Sequence, residues 1–259
     1  MSIAAVRPGL PLADVNPVAK IAATVPLSIV LILTLDAVSA TVAILCEVAV
    51  FTAAGLGSLL WSRRTLVVWI AAPLTGISMV LYGAPSGATL WEFGVIHVTE
   101  GSVQIGLATM ARVIAIALPA VVLFLSIDPT DLADGLAQTL RLPARFVLGA
   151  LAALRLVGSS IDDWRTLTLA RRARGIADHG AIRRGLGQAF ALLVLAIRRG
   201  SVLATAMEAR GFGAPVERTW ARTAHFGRAE WAVIGVGCLV AAVAATAAVL
   251  AGTWNVVWT

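Results

Sequence analysis

The chain has 259 residues, of which 59% are hydrophobic and only 13% charged, and its mean hydropathy is +0.90. An ordinary soluble domain carries roughly 25% charged residues, so this composition excludes a soluble globule and points to the bilayer as solvent. A net charge of +6 and a pI near 10.9 would suit nucleic acid as a partner. The cations follow membrane topology instead, and no nucleic-acid contact is expected.

Arg7, Pro8, Pro11, Asp14 and Pro17 precede any apolar run, so no secretory leader is expected. Five apolar runs then approach the roughly 20 residues that cross a hydrocarbon core. They are Val18–Leu35, Ala37–Trp61, Leu66–Tyr82, Gln104–Ser126 and Trp231–Ala251. Asp36, the pair Arg63-Arg64 and a loop from Gly83 to Val103 separate the first four. Pro26, Pro73 and Pro119 lie inside runs, where neighbouring helices satisfy the carbonyls they free. Cys46 and Cys238 also lie in apolar runs and read as thiols buried in lipid. Arg112 falls within the fourth run. It is expected to snorkel or to pair with Glu47 of the second, in preference to touching a substrate.

Of the 20 Lys and Arg, 15 lie between Asp128 and Arg228, and the loops at Asp36 and 83–103 have none. The positive-inside rule then predicts a cytoplasmic N-terminus, cytoplasmic residues 127–229 and an external C-terminus. The expected regions are 1–126 with four transmembrane helices, 127–229 in the cytoplasm, and 230–259 with the last span.

Within the basic region, helix-permissive sequence runs from Pro143 to Gly175 and again from Gly185 to Gly211. Each stretch contains nine apolar residues bracketed by arginine, Phe146–Leu154 and Ala189–Ile197. Nine residues do not span a bilayer; they lie at its interface or cross one another beneath it. Each stretch ends in the same three residues, Ala173-Arg174-Gly175 and Ala209-Arg210-Gly211. One such ending is explained by helix-end chemistry, since glycine takes the left-handed conformation and arginine complements the dipole. Two of them, each closing a long helix behind an apolar block, suit tips that dock into a partner: a small residue enters a groove and the guanidinium forks onto a carboxylate.

These residues resemble the transmembrane T component of energy-coupling factor transporters (the EcfT/CbiQ-like family). The resemblance rests on Asn16-Pro17-Val18-Ala19-Lys20, on Thr99-Glu100-Gly101 followed by Arg112, and on Asp128-Pro129-Thr130-Asp131-Leu132 with Leu142-Pro143. It is most specific at Leu169-Ala170-Arg171-Arg172-Ala173-Arg174-Gly175-Ile176 and at Ala206-Met207-Glu208-Ala209-Arg210-Gly211-Phe212. It implies an all-α polytopic membrane protein with long coupling helices. It also implies a non-catalytic subunit of an ATP-driven importer of a vitamin or metal ion, with two ABC-type ATPase subunits or one fused ATPase as partners. A substrate-binding membrane S component is the third partner. Ala173, Arg174, Gly175, Ala209, Arg210 and Gly211 would contact the ATPases. Phe146, Leu151, Leu154, Leu192, Leu193 and Leu195, from the two apolar blocks, are the expected contacts of the S component.

No phosphate-binding loop of the Gly-x-x-x-x-Gly-Lys-Ser/Thr type occurs in the sequence, and His97, His179 and His225 lack ligand spacing, so neither a cofactor nor a metal is expected. Asp128, Asp131 and Asp134 recur every third residue. They admit an alternative reading, a metal-dependent lipid or prenyl transferase, but the start of a helix explains them more simply.

Overall fold

The computed structural model describes residues 12, 14–34, 36–83, 86–93, 96–175, 180–214 and 219–254. Arg7, Leu35, Ile176 and His179 lie outside the described residues, as does the side chain of His97. The described chain is helical apart from one β-hairpin and divides into two units, residues 133–224 and residues 12–132 with 225–254.

The larger unit is a helix bundle of α1 (Pro17–Leu33), α2 (Ala37–Ala53), the single turn α3 (Gly57–Leu60), α4 (Leu66–Tyr82), α5 (Glu100–Phe124) and α9 (Arg228–Leu250). Helix α1 packs on α9 and α5, α2 on α5 and α9, and α4 on α5. One core joins α1, α2, α5 and α9 through Leu27, Leu31, Ala40, Ala43, Ala115, Val240 and Ala244. A second joins α2, α3, α4 and α5 through Phe51, Leu56, Leu60, Ala72, Leu118 and Val122. Without a hydrophobic drive between helices in lipid, close approach of small residues has to supply the contact. A Cβ on Gly106 would lie 2.9 Å from the Gly76 carbonyl oxygen, and one on Gly237 would run into the backbone of Ala23.

Local chemistry sets the boundaries, and several differ from the sequence expectation. The break at Asp36 is real: its carboxylate accepts from the Ser39 amide at 2.7 Å and caps α2. The second run stops at Ala53 rather than Trp61. Gly55 has φ +71°, and Leu56 N–H returns to the Phe51 carbonyl at 2.8 Å, closing the helix in a Schellman turn. The 83–103 loop is partly strand. β1 (Thr89–Phe93) pairs antiparallel with β2 (Ile96–Thr99), placing Thr89 opposite Thr99. Helix α5 therefore starts at Glu100, four residues before the expected Gln104. Thr99 and Ser102 cap it reciprocally, at 3.2 and 2.9 Å.

The opening Asn16-Pro17-Val18-Ala19-Lys20 works as a clamp on the bundle. The Asn16 side chain accepts from Val18 N–H at 3.0 Å and donates to the His225 carbonyl at 3.2 Å, while its backbone N–H donates to Glu230 at 3.3 Å. Lys20, fully buried, donates to the Ser126 carbonyl at 3.1 Å. The start of α1 is thereby fixed to the start of α9 and the end of α5.

By length and composition α5 and α9 suffice to cross a membrane, and so do α7 (Ala144–Ala173) and α8 (from Ile182) of the smaller unit. Helices α1, α2 and α4 are equally apolar but only 17 residues each, at the lower edge of the spanning range.

Candidate functional site: the arginine-tipped hairpin

The smaller unit is built on two long helices, α7 and α8 (Ala181–Ala209), of 30 and 29 residues. At 1.5 Å per residue each is about 45 Å long. The α8 start lies four residues ahead of the expected Gly185. Gly180, at φ +67°, turns the chain into it, and Gly185 and Gly187 become interior residues. The end of α6 (Pro129–Gln138) packs on the start of α7 through Ala133, Ala137 and Val147, with Trp220 alongside. Gln138 holds the returning chain by donating to the Arg222 carbonyl at 2.9 Å and accepting from Ala224 N–H at 2.8 Å.

Three side-chain links set the direction of the two long helices. Gln188, buried, donates to the Trp164 carbonyl at 2.7 Å and to the Thr168 hydroxyl at 2.6 Å. Arg171 donates to the Gly187 carbonyl at 3.0 Å. Arg199 grips Asp163 through both its terminal nitrogens, one of them at 3.1 Å. Residues late in α7 thus meet residues early and midway in α8, so the helices run antiparallel and their C-termini point to opposite ends of the hairpin. On the far side, the start of α7 and the end of α8 border an open groove lined by Pro143, Arg145, Leu151, Arg155, Met207 and Phe212.

The two Ala-Arg-Gly endings occupy those opposite ends and have nearly the same geometry. Arg174 sits at φ −90°, ψ 5° and Arg210 at φ −91°, ψ 11°, while Gly175 and Gly211 follow at φ +67° and +76°. Gly211 N–H bonds Glu208 O at 2.9 Å and Phe212 N–H bonds Met207 O at 3.0 Å, a Schellman turn; Gly175 N–H bonds Arg172 O at 3.0 Å in the matching way. All six residues, Ala173, Arg174, Gly175, Ala209, Arg210 and Gly211, are exposed. Helix-end chemistry therefore explains how the endings form, and exposure leaves both guanidinium forks facing outward about 40 Å apart along the hairpin.

The expected S-component contacts are split. Phe146, Leu154 and Leu193 are exposed; Leu151, Leu192 and Leu195 are half-buried, and Leu151 packs against the α6 end. The exposed apolar surface reaches well beyond the nine-residue blocks. Leu154, Val157, Ile161 and Trp164 follow one face of α7, and Leu186, Phe190, Leu193 and Ile197 one face of α8. The sequence reading stopped at the ends of the two blocks and so missed Val157, Ile161 and Leu186, although their helical spacing marks them; Phe190 lies within the second block but was not among the six expected contacts. It also missed the Gln188, Arg171 and Asp163–Arg199 links. Asp162 and Asp163 are the only acids of α7, and that isolation was the available signal.

The other candidates resolve differently. Asp128 accepts from Thr130 N–H at 2.7 Å and starts α6, with Pro129 at its first position. Among the described residues, no group of three His, Cys, Asp or Glu side chains converges, so Asp128, Asp131 and Asp134 do not form a metal-binding cluster. The expected pairing of Arg112 with Glu47 is not formed. Both Glu47 carboxyl oxygens, and Nε and Nη2 of Arg112, are buried without a hydrogen-bond partner.

Residues 10–220 match the CbiQ family, described as cobalt transport protein. The chain belongs to the CbiQ family. The energy-coupling factor transporter transmembrane protein EcfT of Limosilactobacillus fermentum is 28% identical over 192 residues, covering 70% of this chain and 71% of that protein. EcfT of Bacillus selenitireducens is 28% identical over 239 residues, 88% of this chain and 89% of its own. EcfT of Lacticaseibacillus paracasei is 30% identical over 187 residues, 67% and 69%. As a member of the CbiQ family the chain is a multi-pass membrane protein and a non-catalytic transporter component. The match covers the bundle up to α5 and both long helices of the hairpin, and it ends before α9.

Proposed function

We propose that this chain is the energy-coupling transmembrane subunit of an ATP-driven importer of a vitamin or metal ion. In this reading Arg174 and Arg210 each dock into a groove on one of two ATPase subunits, or one half of a fused ATPase. The apolar faces of α7 and α8 carry a substrate-binding membrane subunit. The observation that carries the reading is the pair of like-shaped, exposed arginine tips at opposite ends of one antiparallel hairpin. That arrangement suits a partner with two equivalent sites, as a dimeric ATPase has. Closing and opening of the ATPases would then pull on both ends of the hairpin and tilt the faces between them. The names of the relatives, which specify energy coupling, and the family's description as cobalt transport support the same class.

The hairpin and its flanks, residues 127–229, belong in the cytoplasm under this proposal, because 15 of 20 cations lie there. Purification of the tagged chain from its native membrane tests the assembly directly. Two ATPase subunits and a small membrane protein should accompany it in fixed ratio; recovery of the chain alone would refute the proposal. Topology has its own check, in a chain whose Cys46 and Cys238 are replaced by alanine. A cysteine at Ala88 should react with an impermeant thiol reagent added outside the cell, and one at Gly180 should not. The opposite labelling would place the hairpin on the wrong side for ATP.

A further inference from the structure

Among the described residues, every other buried acid of the bundle is satisfied. Asp36 accepts from the Ser39 amide and hydroxyl, and Glu230 from the amides of Asn16 and Gly227. Glu47 is the exception: it is 4% exposed, and neither carboxyl oxygen has a partner. It lines a half-open cavity of about 250 Å³ between α1, α2, α5 and α9, with Leu27, Phe51, Leu123, Val233 and Val240 among the walls. The cavity lies at the end of the bundle where α1 and α9 begin and α2 and α5 end. Its lining is almost wholly apolar; the one other polar side chain, Thr24, donates its hydroxyl to the Ile21 carbonyl at 2.8 Å.

This combination selects among occupants. A bare cation needs six or more oxygen ligands, and the walls offer one carboxyl. An isolated water wants two to four polar partners, and it would find one. A purely apolar filler fits the walls but leaves the carboxyl desolvated and unpaired, a cost that buried polar groups rarely bear. We propose that the cavity is a binding site for a lipophilic amine, whose apolar body fills the space among the four helices while its nitrogen pairs with Glu47. An ammonium donates to the carboxylate and cancels its charge. The space exceeds the roughly 150 Å³ that holds benzene in an engineered apolar cavity, so a phenylalkyl body is of suitable size. Nothing in this site depends on the coupling role of the hairpin.

Three probes that share one apolar body test it on the purified full chain: 4-phenylbutylamine, 4-phenylbutanol and butylbenzene, titrated calorimetrically. The amine should bind saturably and tightest. Glu47→Gln should weaken the amine about tenfold or more and change butylbenzene less than about twofold, since the walls are untouched. Glu47→Asp, which keeps the charge, should retain the preference for the amine over butylbenzene. Val236→Trp, which fills the cavity from α9, should abolish binding of all three. Size-exclusion profiles matching wild type confirm folding of each variant; if Glu47→Gln fails there, the Asp and Trp variants carry the comparison. Equal affinity for amine and butylbenzene, unchanged amine binding in Glu47→Gln, or no saturable binding to wild type would each overturn the proposal.

Discussion

The bundle helices are more apolar than those of the hairpin, and the two regions place their apolar side chains differently. In the bundle, side chains face one another: Leu31, Ala40, Ala43, Leu118 and Val122 are almost fully buried, and glycines bring backbones into contact. In the hairpin, Val147 is the one buried apolar residue of α7, and in α8 only Gln188 is buried among the described side chains. The bundle's apolar residues are consumed by its own packing and by lipid. The hairpin's are left over, and large exposed apolar stripes on a folded protein mark contact with another protein or a membrane. What orients α7 against α8 is a few polar links instead of a core.

The comparison breaks most sharply at glycine. Gly106→Leu or Gly237→Leu drives a side chain into the backbone of α4 or α1, and overpacking of this kind costs roughly 3 kcal/mol or more. Either variant should lose monodisperse protein on size-exclusion chromatography. Gly149→Leu in α7, where nothing lies within 4 Å, should elute as wild type. Equal behaviour of all three would mean that the hairpin is as tightly packed as the bundle. Next comes the exposed stripe. Leu193→Arg and Leu154→Arg place a charge on faces that are open in the isolated chain, so folding should be spared. A charge buried unpaired at the partner's surface costs several kcal/mol, so the small membrane partner should be lost while the ATPases stay. Retention of that partner in both variants, read by native mass spectrometry, would assign the faces to lipid. The smallest effect concerns the links. The Asp163–Arg199 pair is partly exposed, with side-chain exposures of 21% and 40%. A double-mutant cycle with Asp163→Ala and Arg199→Ala on hairpin stability should give a coupling of about 0.5–1 kcal/mol. A coupling of zero would leave Gln188 as the principal clasp.

Much of this was legible beforehand because the signals are local. Long apolar runs, the break at Asp36 and the Asp128-Pro129 helix start follow from residues within four positions of one another. The identical endings at Arg174 and Arg210 were legible for the same reason, as each needs only its own glycine. The hairpin at β1 and β2 was not read, because Thr89–Phe93 and Ile96–Thr99 are short and sit in what looked like a loop. The end of α2 at Ala53 was missed because apolar Leu56, Leu59 and Leu60 continue the hydropathy past Gly55. Pairing of Arg112 with Glu47 was one of two expectations, beside snorkelling, because opposite charges in packed spans usually meet; the pair is not formed, and sequence carries no measure of how packed helices are turned. The antiparallel arrangement of α7 and α8, which puts the tips at opposite ends, rests on contacts 16 to 36 residues apart. No periodicity reports those.

The tips themselves give the most direct test. Arg174→Glu combined with Arg210→Glu alters two exposed residues that carry no internal load in the hairpin, so the chain should insert and fold as wild type. Removing a charge-assisted pair from one side costs on the order of 2–5 kcal/mol, and reversal adds repulsion. With two attachment points, either single substitution should weaken ATPase co-purification only in part, and the double should act more than additively. The decisive measurement is co-purification of the ATPases with the double variant, alongside substrate uptake in the same cells. Loss of both is the predicted result; normal assembly with normal uptake would contradict the account and reduce the two Ala-Arg-Gly endings to ordinary helix caps.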